Sequence, residues 1–450
     1  MVFERVSRLA SIPAMLFAAL VWLATSLPAT AQSLIRDADI EYGLTELSFP
    51  ILRAAGLSPA RVRVLVVNDS AFNAFVVDNQ TIYLNYGLIQ KVNNARMLQA
   101  VIAHEAAHIA NGHLSRRMGN FKGARTAAGI GTLLALAAAA AGAGEAAAAI
   151  GVGINSSALR SFLAHTRAEE ASADRSAASY LRNAGINPVG LVELHQAFAG
   201  QELLSVANQD VYNRSHPLSR DRMRAAQAFV EASKQKYPPN PVHEYWFARL
   251  RGKLTAFTRG SKWTMARADK SLTADIRHMR RAVAFHKVHD RANALREIDT
   301  ALAARPDDPY YYDLKGQILM ENRKWAAAVG AYDTAARLDP GNSLILAGLG
   351  RAQVANGQLK TGLATLEEAR LRDFRNRFLL QDLALAYAKD GQQGMAALAT
   401  AERYALAGNL QDAGLHARRA LAQLPQGSAP ARRAEDVLIA SEKLDKRKKR

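Results

Sequence analysis

Two histidines four residues apart enclose a glutamate in the run His104-Glu105-Ala106-Ala107-His108. On a helix this spacing sends both imidazoles from one face, one turn apart, where they can share a metal ion. Zinc held there acidifies a water and polarises a scissile carbonyl. Glu105, next to the first ligand, is placed to take the proton from that water and pass it to the leaving amine. The same five residues also occur by chance on structural helices, so a third ligand must support the reading. A three-histidine pattern needs Gly and His three and six residues beyond His108, and the chain has Asn111 and Leu114 there. Gly112 and His113 are out of register for it. Glu170, with Asp174 one turn on, is the better source. A carboxylate completes a His-His-Glu set that keeps one position open. Asp174 can accept a hydrogen bond from a ligand imidazole and fix its tautomer. Glu169 points about 100° away around the helix and is the weaker choice. Taken alone, Glu170 and Asp174 would equally suit a solvated helix face. His113, His165 and His195 are read as structural or surface residues.

The elements that must position these groups follow from local patterns. A helix is expected over residues 94–114, capped by Asn93 or Asn94, with Leu98, Val101, Ile102 and Ile109 as its apolar positions. Ahead of it come a helix at 38–55, a β-branched strand at 62–67, and strands at 73–77 and 81–84 separated by Asp78-Asn79. These make a small sheet or hairpin. Residues 162–182 read as the helix carrying Glu170, ended by Asn183 and Gly185. Two further helices follow, broken around Ser215-His216-Pro217, and Pro238-Pro239-Asn240-Pro241 marks an elbow. Between the two site helices, residues 124–159 are rich in Ala and Gly. Each arm barely reaches the roughly 20 apolar residues of a membrane span, and Glu145 interrupts the second. A small-residue helical hairpin, packed on the protein or dipping into a membrane, is expected rather than a true span.

From about residue 272 the pattern changes. Pro306 and Pro340 lie 34 apart, and Ala282, Ala294 and Ala301 precede the first at the offsets where Gly316, Ala328 and Ala335 precede the second. Gly350, Gly357 and Ala369 continue the series, then Ala384, Gly391 and Ala396. A last unit, shifted by half a repeat, has Ala401, Gly408, Ala413, Ala420 and Pro425. Small residues at fixed offsets let paired helices approach closely. The pattern resembles the tetratricopeptide repeat, with Lys315, Phe374 and Arg403 as departures. A generic Ala-rich bundle is the competing reading.

The ends and the charge bound the setting. Residues 1–31 read as a secretory signal: Arg5 and Arg8 lead an apolar stretch at 12–26, and Ala29-Thr30-Ala31 offers small residues for cleavage. An uncleaved anchor is the alternative. There is no cysteine, which excludes disulfides and thiolate zinc sites. The formal charge of +18 points to an anionic partner. Export argues against nucleic acid, and an anionic membrane surface is preferred. The basic run at 443–450 fits that role or a solvated tail.

With these residues in view, the stretch from Val62 to Asp174 resembles the HtpX/BepA group of zinc metallopeptidases, which includes the CAAX prenyl protease. The matching residues are Asn73-Ala74-Phe75, those at 83–88, Ala100-Val101-Ile102-Ala103-His104-Glu105-Ala106-Ala107-His108, and Glu170-Ala171-Ser172-Ala173-Asp174. His216-Pro217-Leu218-Ser219-Arg220-Asp221-Arg222 resembles the downstream His-Pro…Arg element of the group. Ala107 stands where Gly is frequent, and Met97 where an acidic residue is usual. The resemblance implies His104, His108 and Glu170 as zinc ligands, Glu105 as base, and Asp174 supporting a ligand. It also suggests His216 as a fourth ligand that blocks the site at rest, although a plain His-Pro turn fits equally well. Arg222 is read as a transition-state oxyanion stabiliser or as a surface Arg paired with Asp221 or Glu231. The Asn73-Ala74-Phe75 strand is expected to offer its edge to an extended substrate. The leader and the repeats resemble the periplasmic branch of the group.

The expected fold is an α+β, mostly helical zincin-like metalloprotease domain followed by an all-α repeat solenoid. The expected boundaries are 1–31 for the signal, 32–235 for the protease, 236–272 for a connecting helix and elbow, 273–427 for the repeats and 428–450 for a basic tail. The expected activity is zinc-dependent hydrolysis of unfolded or misassembled envelope proteins in the periplasm. The implied partners are unfolded outer-membrane proteins and the β-barrel assembly machinery, with chaperone activity as a further role. A repeat adaptor on a silent zinc fold and an integral-membrane protease are the rival readings.

Overall fold

A computed structural model describes residues 34–120, 167–199, 211–216, 220–232 and 237–448. The expected leader, the 124–159 hairpin, His165 and residues 217–219 lie outside them. Strand β1 (Leu34–Ile35) leads into helix α1 (Ala38–Ala54), whose first turn is capped by Asp37 accepting from the Ile40 amide. Strands β2 (Arg63–Val67), β3 (Ala74–Val76) and β4 (Thr81–Asn85) complete a sheet of order β1-β2-β4-β3. The sheet is mixed. β2 runs parallel to β4, pairing Arg63 with Thr81 and Val67 with Asn85, while β1 on β2 and β3 on β4 are antiparallel. Side chains alternate between its faces. Val64, Val66, Ala74, Val76, Ile82 and Leu84 enter the main core, and Leu65, Val67, Phe75, Val77 and Tyr83 form a second small cluster.

After α2 (Tyr86–Lys91) comes α3 (Ala95–Ala110), the helix bearing the histidine motif. Asn94 caps it, its side chain accepting from the Met97 amide at 2.9 Å. Almost every residue of α3 is buried, as expected of a helix that is apolar on all sides and threads a core. The helix expected over 94–114 is shorter than that. It stops at Asn111, and Gly112 turns with φ +66° into α4 (His113–Asn120). The left-handed turn costs glycine nothing and breaks the helical hydrogen bonding.

Helix α5 (Arg167–Asn183) lies along α3 and ends at Gly185 with φ +70°. Where two further helices were expected, the described residues show three: α6 (Val189–Ala197), α7 (Val211–Ser215) and α8 (Arg220–Ala232). α6 comes close to the start of α3 at Gly190, where a Cβ would sit 2.3 Å from the Arg96 carbonyl oxygen. No described helix is long and apolar enough to cross a membrane.

The expected connecting helix and elbow, described from residue 237 on, holds two helices. α9 (Pro241–Thr258), capped by Asn240, packs on α1, and α10 (Ser261–Ala268) follows. Gln99 of α3 ties both neighbours, donating to the Leu47 carbonyl and meeting His243 Nδ1, each at 3.1 Å. α9 continues into a stack of helix pairs: α11 (Ala274–Lys287) with α12 (Arg291–Ala304), α13 (Pro309–Glu321) with α14 (Trp325–Leu338), α15 (Ser343–Ala355) with α16 (Leu359–Arg372), α17 (Arg377–Lys389) with α18 (Gln393–Leu406), and α19 (Leu410–Leu421) with α20 (Ala429–Lys448). The expected basic tail at 428–450 is therefore mostly α20, which buries Ala431, Ala434 and Ser441.

Two further signals share the repeat period. Asp308, Asn342 and Asn376 cap α13, α15 and α17, each accepting from the amides two and three residues on; such caps stabilise by about 1 kcal/mol each. Positive φ recurs at His289, Arg323, Gly357 and Gly391 in the turn within each of the first four pairs. Phe374, standing where the earlier units have proline, is exposed, and the Asn376 cap still starts α17.

Charged side chains seal the solenoid against the first half of the chain. Arg249 of α9 is completely buried between Asp39 of α1 (2.7 Å) and Asp308 (2.8 Å), with its guanidinium 3.9 Å over the Tyr311 ring. Asp373 receives Arg36 at 2.7 Å and Arg63 at 3.2 Å. Tyr310, Ala335 and Ile345 of the repeats belong to the same apolar core as α3.

Candidate active site

The two helices that meet at the site bring together groups far apart in sequence. α3 presents His104, Glu105 and His108; α5 presents Glu170 and Asp174; His216 follows α7, and Arg222 lies in the first turn of α8. All are buried. His104 Nε2 lies 3.1 Å from His108 Nε2, 3.3 Å from His216 Nδ1 and 3.4 Å from Glu170 Oε2. Glu170 Oε1 lies 3.3 Å from His108 Nε2 and 3.0 Å from His216 Nδ1. A tetrahedral ion with ligands at about 2.0–2.1 Å would have donor–donor edges of about 3.3–3.4 Å. The cluster His104, His108, Glu170 and His216 therefore has the size and the nitrogen–oxygen chemistry to hold one ion.

Electrostatics agree with that fit. Burial opposes charge on His104, but Glu170 and Asp174 outweigh it and push its pKa up to about 10, so the pocket draws positive charge. Burial drives the pKa of His108 well below the usual histidine range and keeps that ring neutral. Glu170, despite its burial, is held well below the usual carboxylate range by His216 and His104. Glu105 behaves oppositely, because burial raises its carboxyl more than His216 and His104 lower it. Neither of its oxygens has a hydrogen-bond partner among the described residues, and His216 Nε2 lies 3.5 Å from one of them. A buried carboxylate with raised affinity for a proton beside a cation pocket is suited to general-base work.

Asp174 accepts from His104 Nδ1 at 3.0 Å and from Arg222 at 2.6 and 2.8 Å. Burial opposes the charge on Asp174, but these bonds hold its carboxyl well below the usual range. Arg222 also reaches Glu170 Oε2 at 2.8 Å. The surface reading of Arg222 is thereby corrected: the side chain is buried, and its Nε, Nη1 and Nη2 face Asp174 and Glu170. Arg224 is the residue beside Asp221.

The expected substrate strand occupies the sheet edge beside α3. Ala74 is buried, and Phe75 stacks on Tyr83 on the outer face of the sheet. The Asn73 carbonyl accepts from the Asn85 amide, and its side-chain oxygen is buried without a hydrogen-bond partner among the described residues.

Three more residues stand at the site: His113 and His195, read from the sequence as structural or surface residues, and Tyr212, which was not singled out. His113 is buried with Nδ1 2.9 Å from His108 Nδ1. His195 of α6 places Nε2 3.7 Å from Asp174 Oδ2. Tyr212 lies against His216 with ring centroids 4.7 Å apart, held by Phe72 and Phe198. The glycine before His113 was the one available hint, since it turns that side chain back toward the motif.

Residues 36–230 match the description of peptidase family M48. They form an M48 metallopeptidase domain. Residues 279–343 and 319–384 match tetratricopeptide repeats, so the M48 domain is followed by a repeat solenoid. The chain is 24% identical to proteins called beta-barrel assembly-enhancing protease in Escherichia coli (strain K12) and Yersinia pestis. Those alignments cover 84% of this chain and 78% of the relative in the first case, and 77% and 72% in the second. A putative beta-barrel assembly-enhancing protease of Vibrio cholerae is also 24% identical, over 63% of this chain and 59% of the relative. Among solved structures, MamA from Desulfovibrio magneticus RS-1 is similar over 36% of this chain and 94% of its own, at 16% identity and a TM-score of 0.31.

Proposed function

We propose that this chain is a zinc-dependent endopeptidase of the periplasm that cuts unfolded or misassembled outer-membrane proteins during β-barrel assembly. The observation that carries the proposal is the buried convergence of His104, His108, Glu170 and His216 beside Glu105, whose oxygens have no hydrogen-bond partner among the described residues. His104, His108 and Glu170 would hold zinc, which supplies Lewis acidity toward a scissile carbonyl and a water. Glu105 takes the proton of the attacking water and returns it to the departing amine. Asp174 fixes the His104 ring through Nδ1, and Arg222 clamps Asp174 to Glu170. His216 completes a closed set of four protein donors, the form of a structural rather than a catalytic site. It is a resting-state ligand in this reading, and turnover requires it to give up its place.

The names of the relatives and the leader-like residues 1–31 support the periplasmic setting. The edge of β3 would pair with extended substrate through its backbone, which gives little sequence preference. The solenoid would dock the β-barrel assembly machinery or unfolded barrel precursors, with chaperone activity as a second role, and the positive charge would favour contact with anionic membrane over nucleic acid. The competing reading is a repeat adaptor on a silent zinc fold. Zinc content, together with cleavage of a urea-unfolded outer-membrane protein by the wild type and by Glu105→Gln, separates the two. The proposal expects about one zinc in each protein and cleavage slower by about 10²-fold or more in the variant. Equal cleavage by both proteins, or none by a zinc-loaded wild type, would overturn it.

A further inference from the structure

We propose that His113 is a positioning residue of the metal site: it accepts a hydrogen bond from His108 Nδ1 and so holds His108 in the tautomer whose Nε2 can bind the ion. The inference rests on the zinc-site reading above and extends it to a residue outside the motif.

One hydrogen bond joins the two Nδ1 atoms at 2.9 Å, and the rings meet edge to face. Its polarity has two possibilities. If His113 donates, His108 carries its own proton on Nε2. That N–H would then point at His104 Nε2 and Glu170 Oε1, and no lone pair would be left for a metal. If His108 donates, its Nε2 lone pair joins the other three donors. Only the second arrangement is compatible with a ligand, and it requires an acceptor at position 113.

The local backbone is built for this contact. On an unbroken helix the fifth residue after His108 would lie about 140° around the axis, facing away from its Nδ1. Gly112, at φ +66°, ends α3 and starts α4, which brings His113 behind the His108 ring. His104 and His108 are thus supported by different chemistry. His104 leans on a carboxylate, Asp174, whereas His108 leans on a second imidazole. Glu105, Glu170 and Asp174 already crowd the pocket, with Arg222 as the cation among them. A neutral acceptor orients the second ligand without adding to that negative charge.

The test uses the full zinc-loaded chain and compares His113→Leu with His113→Asn. Both substitutes have four side-chain heavy atoms branched at Cγ, but only asparagine carries an acceptor near the Nδ1 position. Chelator competition should show zinc binding weakened about 10- to 100-fold by leucine and largely restored by asparagine. Nitrogen-15 spectra of histidine-labelled wild type should show His108 Nδ1 protonated and His113 Nδ1 unprotonated. Undiminished zinc affinity in His113→Leu, or a proton on His113 Nδ1, would overturn the proposal. Should His113→Leu fail to fold, the wild-type spectrum decides alone. A wild type that takes up no zinc would instead sink the metal-site reading itself.

Discussion

Replacing Asp174 with asparagine keeps the shape of the side chain and removes its charge, and the geometry allows the cost to be worked out. In the wild type Oδ1 accepts from His104 Nδ1 and Arg222 Nη2, and Oδ2 accepts from Arg222 Nε. An amide has one carbonyl oxygen. With that oxygen at Oδ1, the NH2 group faces Arg222 Nε–H, donor against donor; with it at Oδ2, the NH2 group faces both Nη2 and the His104 ring. The first choice loses less. It gives up one charge-assisted bond worth about 1.5–3 kcal/mol and leaves a buried guanidinium short of countercharge. Stripping one partner from a buried ion pair costs about 3–5 kcal/mol, but Arg222 keeps Glu170 at 2.8 Å, which holds the loss near the lower end. Asp174→Asn should therefore destabilise the chelator-treated protein by about 3 kcal/mol, read as a lower urea midpoint at unchanged slope. Zinc binding should weaken about 10- to 100-fold, because the His104 ring is less firmly polarised. A loss under about 1 kcal/mol with undiminished zinc affinity would refute the account of Asp174 as the anchor of both His104 and Arg222.

Other perturbations probe the supporting frame. Burial pushes the Asp373 carboxyl up, but Arg36 and Arg63 more than offset it and hold it below the usual carboxylate range. The contribution of Asp373 is therefore complete above its unfolded pKa of about 3.9 and fades as pH falls through the lower folded value. Asp373→Asn should cost about 2 kcal/mol at neutral pH, and the gap from wild type in denaturant melts should close below pH of about 4; a gap independent of pH would contradict this. Gly190→Ala drives a methyl to 2.3 Å from the Arg96 carbonyl oxygen, and the shift of α6 away from α3 should lower stability by about 3 kcal/mol in a thermal melt. Asn342→Ala removes the side-chain acceptor for the Leu344 and Ile345 amides and should cost about 1 kcal/mol; faster hydrogen exchange at those two amides is the specific readout.

Much of the scaffold could be read along the chain because its signals are local. The α3 cap at Asn94, the three longer strands and the small residues of the helix pairs each depend on near neighbours. The left-handed turns at His289 and Arg323 carried no such mark, since neither is glycine. The roles of α9 and α20 were missed for a different reason. Composition reads a proline-rich elbow and a basic end, but burial of Arg249 and of Ala434 is decided by partners far away. At the site, His104, His108 and Glu170 followed from residue type and helical spacing, whereas His216 came only from the resemblance to the metallopeptidase group. The commitment of Arg222 to two carboxylates followed from neither, because it depends on how α8 packs on α5. His113 was dismissed by a register argument that assumed an unbroken helix, and the turn at Gly112 invalidates that assumption.

The burial of Arg249 between Asp39 and Asp308 bears on how the molecule can be dissected. A gene truncated before residue 273 would encode a polypeptide whose central guanidinium has lost one of its two carboxylates and whose core has lost Tyr310, Ala335 and Ile345. The smallest piece that keeps those groups reaches into α15, so genetic dissection of protease from adaptor has to begin beyond residue 355.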